Sequence, residues 1–335
     1  MRPLRALSDS ILVLLLCSSL AHAQMAASRT FRVGNAADKT VQPQAGFALM
    51  GGGADLDEAF RFLCQRANGG DFLVLRSHGD DEYNRYIQKL CPLNSVATIV
   101  IPSRAAAAEP SVAARIREAS GIFIAGGDQA TYIDFWMGTP VQSELNAAVA
   151  RGVPIGGTSA GLAVLGEYAY SAQGDKPDDP NLDGKTALAD PFGPRITLVH
   201  GFLDIPILKG IITDTHFAKR NRMGRLLVFL ARLNAAGANG NEVRGIGVEE
   251  RAAILLEPDG TGAVVGHGSA YFVEPQKAPS SLEPGKPLTG AAFTVQRVVP
   301  GHTFNLKEWR GDATAYALTV DNGTIHSTQP EGAVY

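Results

Sequence analysis

The sequence has no surplus of basic charge, few cysteines and no internal repeat. Lys and Arg number 30 against 33 Asp and Glu. A nucleic-acid partner usually shows as a basic excess, so that class is set aside. H-E-x-x-H is absent and no two histidines stand at helical ligand spacing, which argues against a metal enzyme. No cofactor is expected. Cysteine is sparse: only Cys17, Cys64 and Cys91 occur.

Arg2 and Arg5 precede the apolar run 11–20, and Ala21-His22-Ala23 offers small residues where a signal peptidase reads. The run is too short for a permanent membrane span. An uncleaved anchor or a lipoprotein signal is the alternative, but Cys17 follows three leucines where lipid attachment wants a small residue. The expectation is a signal peptide over 1–23 cleaved after Ala23, a secreted or periplasmic product, and no membrane contact thereafter. Removing Arg2, Arg5 and Asp9 leaves 28 basic and 32 acidic residues, a net charge of −4. The remaining length, about 310 residues, suits one large α/β domain or two small ones. An oxidising compartment lets Cys64 and Cys91 pair; two buried thiols are the alternative.

Segment 24–44 is polar and without a clear period, and reads as an N-terminal arm. From residue 45 to 275 strands and helices alternate. Apolar runs at 46–50, 72–75, 95–101, 121–125 and 153–155 read as strands, and 56–67, 82–90, 111–119 and 142–151 as helices. That rhythm implies an α/β fold with a doubly wound parallel sheet. Residues 173–195, rich in Asp, Pro and Gly, are expected to hold no regular element, and either cover the site or form a solvated loop. A Pro/Ser/Lys linker then leads, over 276–335, to a small β appendage with strands at 291–298 and 314–320. The appendage is a candidate dimer contact, polymer-binding face or lid.

Gly157-Thr158-Ser159-Ala160-Gly161 is a G-x-S-x-G turn, the strand-to-helix elbow that presents a nucleophilic serine above a sheet. Small-residue turns of this kind also serve as plain connections. A serine needs a base, and the base an orienting acid. Of the histidines, His216 has the most telling context, because it ends the strand-like run 211–214 at the edge where ligands of open α/β sheets bind. Asp214, Glu249 and Glu250 all compete for the third role. The order Ser, His, acid differs from the Ser, acid, His order of α/β-hydrolases, which leaves an esterase with an acid such as Asp190 as the weaker reading. Before the elbow, Gly126-Gly127-Asp128-Gln129 closes another strand; Asp128 reads as an N-cap, and amides there could receive an oxyanion.

Together Met50-Gly-Gly-Gly53, Ala125-Gly-Gly-Asp-Gln129, Gly156-Gly-Thr-Ser-Ala-Gly161, Asp214-Thr-His-Phe217 with Arg220, Arg222 and Arg225, and Gly245-Ile-Gly-Val-Glu-Glu250 resemble the cyanophycinases and their relatives in the serine peptidase family that also contains aspartyl dipeptidase. The matching blocks run in the family's order over roughly 45–275. The resemblance implies a flavodoxin-like sandwich related to glutamine amidotransferase domains, and a triad of Ser159, His216 and Glu250. It also implies an oxyanion hole from Ala160 and Gly127 or Asp128. Substrate contacts would come from Gln129, Asp214, Thr215, Arg220, Arg222 and Arg225. The implied substrate is cyanophycin, a polyaspartate carrying arginine on each side chain, released as β-aspartyl-arginine. Arginine's planar fork suits such carboxylates, although Arg222 and Arg225, three apart, could equally be a solvated basic face. Other β-aspartyl or aspartyl peptides are the next substrates, and a catalytically silent peptide-binding protein of the same fold is the remaining alternative. Thr215 stands where the family has glutamine.

Overall fold

The computed structural model describes residues 27–176, 178, 179, 181–237, 240 and 242–335. The candidate signal peptide lies outside the described residues. The strands run β1 (Arg29–Gly34), β2 (Phe47–Met50), β3 (Asp71–Arg76), β4 (Ser95–Val100), β5 (Gly121–Ile124), β6 (Ile155–Thr158), β7 (Tyr168–Tyr170), β8 (Leu198–His200) and β9 (Ile211–Asp214). They continue as β10 (Arg244–Val248), β11 (Ala252–Leu256), β12 (Thr261–Gly266), β13 (Ala270–Lys277), β14 (Ala291–Val298), β15 (Thr303–Asn305), β16 (Arg310–Gly311), β17 (Thr314–Asp321) and β18 (Thr324–Ser327). The helices are α1 (Asp57–Arg66), α2 (Glu82–Leu90), α3 (Arg104–Ala107), α4 (Pro110–Glu118), α5 (Gln129–Trp136), α6 (Pro140–Ala150), α7 (Ala160–Ala163), α8 (Gly184–Ala189) and α9 (Met223–Ala235).

Among the described residues these strands form two sheets. The first has the order β1-β4-β3-β5-β6-β2-β11-β12-β15-β16. Its centre, β4-β3-β5-β6-β2, is parallel; β1 and β11 flank it antiparallel. The second has the order β18-β17-β14-β13-β10-β9-β7-β8, with β9 parallel to β10 and to β7. The single parallel sheet expected from the alternating pattern is therefore the middle of one sheet. A second sheet beside it carries the later strands.

Alternation along each strand assigns its faces. Met50, Phe72, Val74 and Phe123 pack on Phe60, Leu63 and Ile87 of α1 and α2. The residues between them, Leu49, Leu73, Leu75 and Ile122, pack on Ile116, Trp136 and Leu145 of α4 to α6. Ile246, Val248 and Phe272 of the second sheet join that same core. The far face of the second sheet, with Tyr271, Val273 and Val295, is covered by Leu226, Phe229 and Leu230 of α9.

Three segments differ from expectation. Within the polar arm, Arg29–Gly34 pairs with β4, because backbone pairing at a sheet edge needs no buried face. Inside 173–195 a short helix, α8, forms where the Asp183 carboxylate accepts from the Thr186 amide as its N-cap. The 291–298 and 314–320 strands do form, but they pair through β13 into the second sheet rather than standing apart.

Cys64 in α1 and Cys91 after α2 form a disulfide across 27 residues. Closing a loop of that length removes enough unfolded-state entropy to stabilise by about 3 to 4 kcal/mol. The double variant Cys64→Ser, Cys91→Ser should lose that amount in denaturant unfolding. An unchanged midpoint would show that the bridge contributes nothing.

Candidate active site

β6 ends at Thr158, and the chain turns directly into α7. Ser159 sits in the turn at φ 52°, ψ −117°, a left-handed conformation that a side chain adopts only where its surroundings force it. The crowding is visible two residues on: a Cβ on Gly161 would lie 2.0 Å from the Ile124 carbonyl oxygen. The backbone strain therefore rests on the serine, and the glycines take up the close approach.

His216 follows β9, also at positive φ (47°). Its Nε2 lies 2.7 Å from Ser159 Oγ, and its Nδ1 lies 2.6 Å from Glu250 Oε1. A carboxylate only accepts, so Nδ1–H donates to Glu250 and Nε2 is left to accept from the serine hydroxyl. Burial pushes the His216 imidazolium down from its ordinary value; the Glu250 bond opposes this, while Arg220 and Arg222 reinforce it. The bond from His216 in turn holds Glu250 below the usual carboxylate range.

The loop after β2 frames this pair. The His216 amide donates to Gly51 O at 2.7 Å, and the Arg251 amide donates to Gly52 O at 2.8 Å. Gly52 has φ +95°, and a Cβ there would come within 2.5 Å of the imidazole. The sequence marks this triple glycine without revealing its role, because the ring it faces lies more than 160 residues away in the chain.

The other candidate acids are engaged elsewhere. Glu249 accepts from the Ser269 amide and the Tyr271 hydroxyl, both at 2.7 Å. Asp190 accepts from the Phe192 and Gly285 amides. Asp214 is 2 % exposed. It binds Arg225 through both oxygens, Nε to Oδ2 at 2.8 Å and Nη2 to Oδ1 at 2.5 Å. His200 lies 3.2 Å from Glu167.

Beside Ser159 opens a cavity of about 480 Å³ bordered by Gly127, Asp128, Gln129, Ala160, Thr215 and the three arginines. Asp128 caps α5, its Oδ1 accepting from the Ala130 amide at 2.9 Å. The Tyr132 hydroxyl donates to Ala125 O at 2.9 Å beneath the same loop. Arg220 is exposed at the rim. Arg222 is buried, donating to Thr215 and to Asn181. Burial would lower the Arg225 guanidinium, but Asp214 more than offsets this and raises it. Asp214 does not border the cavity, so of the six residues implied as substrate contacts it alone lies behind the wall. The start of the 173–195 loop supplies Gln173, Asp175 and Lys176 to the cavity. Tyr170, Asp175 and Asn181 were not singled out from sequence; a loop of mixed polar residues has no periodicity to say which of them point inward.

The sequence model for peptidase family S51 matches residues 77–260. The cyanophycinase of Synechococcus elongatus is 28% identical over 257 residues, 73% of each chain. That of Trichormus variabilis is 31% identical over 200 residues, 58% of this chain and 60% of the relative. Among solved structures, a peptidase from an acI-B1 Actinobacterium superposes with a TM-score of 0.50 at 16% identity, covering 79% of this chain and 98% of that one. The last likeness concerns the fold alone.

Gly52→Ala should displace the imidazole and cut hydrolysis about a hundredfold, the usual effect of an ångström-scale misplacement, while the chain still folds by circular dichroism. Wild-type rates in that variant would mean the ring has room that the geometry denies it.

Proposed function

The chain belongs to peptidase family S51, and on that premise we propose that it is an exported serine-type exopeptidase that cuts cyanophycin to β-aspartyl-arginine through an acyl-enzyme on Ser159. The observation that carries this reading is the unbroken chain Ser159 Oγ, His216, Glu250, with bonds of 2.7 and 2.6 Å, opening onto an arginine-lined cavity. In it, Ser159 Oγ attacks the scissile carbonyl carbon as His216 Nε2 takes the hydroxyl proton. Glu250 stabilises the imidazolium through Nδ1. The amides of Ala160 and of Gly127 or Asp128 receive the carbonyl oxygen as it becomes negative. Collapse breaks the C–N bond, and the amine leaves with the proton from Nε2. Water then repeats the sequence on the ester and frees the serine.

Arg220 and Arg222 offer cations to the substrate's carboxylates, and Gln129 offers an amide. Asp175 in the acidic loop borders the same cavity but is paired with Arg195. A volume of this size takes a dipeptide-sized end group, in keeping with cutting from a chain end. The cyanophycinase relatives support the substrate class. The Cys64–Cys91 bridge and the N-terminal leader pattern support export to an oxidising compartment.

Insoluble cyanophycin given to protein lacking residues 1–23 should release β-aspartyl-arginine, identified by mass. Ser159→Ala should lower turnover by about six orders of magnitude; substantial turnover without the hydroxyl would end the acyl-enzyme reading. The pH profile gives a second check. The base must be neutral, and burial lowers the His216 value from its ordinary 6.5. Activity should therefore persist below that pH and fall only once protonation sets in there. In Glu250→Gln the opposing partner is gone, so the acid limb should move lower still while kcat drops. An acid limb above 6.5 in the wild type contradicts the geometry.

A further inference from the structure

Two buried guanidinium groups in the cavity wall meet one buried carboxylate behind it, and the carboxylate is committed. Arg225 takes both Asp214 oxygens, and the Thr215 amide also donates to Oδ1 at 2.8 Å. Arg222 Nη1 stands 3.7 Å from that oxygen, beyond a hydrogen bond. The cluster of Asp214, Arg222 and Arg225 thus carries one net positive charge in a place where Arg222 is 5 % exposed.

The hydrogen-bond partners of Arg222 are all neutral, and its one charged neighbour of opposite sign, Asp214, is shared with Arg225. Its Nε and Nη2 both donate to Asn181 Oδ1, at 3.2 and 2.9 Å. Its Nη1 donates to the Thr215 carbonyl at 2.9 Å and to Thr215 Oγ1 at 3.1 Å. A guanidinium has five N–H groups, and four are used in fixing its plane. One Nη2 hydrogen is left for the cavity, with a charge that Asp214 meets only at 3.7 Å. Burial, with Arg225 and Arg220 nearby, pushes the group down to about 9, still protonated at neutral pH.

Asn181 lies in a stretch that also holds Asp175, Asp179 and Asp183. Asp175 and Asp179 pair with Arg195, and Asp183 caps α8. The side chain that reaches Arg222 is the amide among these acids. An aspartate there would be isosteric and would cancel the charge.

We infer that Asn181 is a specificity-setting positioning residue, which aligns Arg222 without neutralising it and so reserves that cation for a substrate carboxylate. Thr215 is the second neutral holder. This rests on the reading of the cavity as the site for an acidic peptide.

The test compares wild type with Asn181→Asp and Asn181→Ala. One readout is calorimetric affinity for β-aspartyl-arginine, and the other is the rate of Ser159 labelling by an uncharged fluorophosphonate. Asn181→Asp should weaken the dipeptide about ten- to a hundredfold, the scale of losing a hydrogen bond to a charged group, with labelling within twofold of wild type. Asn181→Ala keeps the charge and loses only alignment, so it should weaken binding less. Unchanged affinity in Asn181→Asp, a larger loss in Asn181→Ala, or no dipeptide binding to wild type overturns the inference. So does a parallel fall in affinity and labelling, which marks a structural role. Absence of labelling in wild type would instead sink the acyl-enzyme mechanism, and the affinity ratio would still decide the role of Asn181.

Discussion

Ser159 hangs from β6 in the first sheet and His216 from β9 in the second, so the reacting pair exists only while the two sheets keep one relative position. The hydrogen bond from the His216 amide to Gly51 O makes that connection, 2.7 Å long at the carboxyl end of β2. The Arg251 amide on Gly52 O continues it. Each such bond contributes only about 1 kcal/mol net. What holds the sheets is the core they share, where Leu49 and Ile122 of one meet Ile246 and Phe272 of the other. Burial supplies the energy and is indifferent to small slips; the backbone bonds supply the position.

A second consequence of this meeting of sheets is a division of labour among three acids. Glu250, at the turn between β10 and β11, keeps 30% of its side chain exposed and faces His216. Glu249, its neighbour, turns the other way to Ser269 and Tyr271. Asp214 is almost wholly buried and is committed to Arg225. Burying an ion pair is costly, and removing one partner typically costs about 3 to 5 kcal/mol more than keeping both. Arg225 also lies 4.8 Å over the Tyr170 ring, so its charge is met on two sides. The result is a rigid floor on which Arg222 lies with its charge only partly met, 3.7 Å from the carboxylate that Arg225 holds.

Much of this was legible in the sequence, for reasons that are local. The apolar runs at 46–50, 72–75, 95–101 and 121–125 are strands because consecutive buried residues in a parallel sheet leave a continuous hydrophobic stretch. The elbow showed itself by glycines within five residues. Long-range pairing leaves no such trace. Nothing near Ala291 says that it will lie opposite Val320 in one sheet with β13, and nothing near Gly52 names an imidazole. Asp214 and Glu250 were equivalent as acids in chain order. Only three-dimensional placement separates the one that meets a guanidinium from the one that meets a histidine.

The placement of strain follows from the same constraint. Ser159 and His216 both hold left-handed backbone angles, at a cost of about 1 to 3 kcal/mol each for residues with side chains. Glycine would remove the cost and the chemistry together. The conformation persists because its alternatives are blocked: Gly161 sits against Ile124, Gly52 sits against the imidazole, and the His216 amide is tied to Gly51. Relaxing either residue would pull its side chain out of the 2.7 Å contact. The glycines flanking the serine, Gly157 and Gly161, do not take the positive φ angles. Instead they make room, and the reacting residues carry the strain.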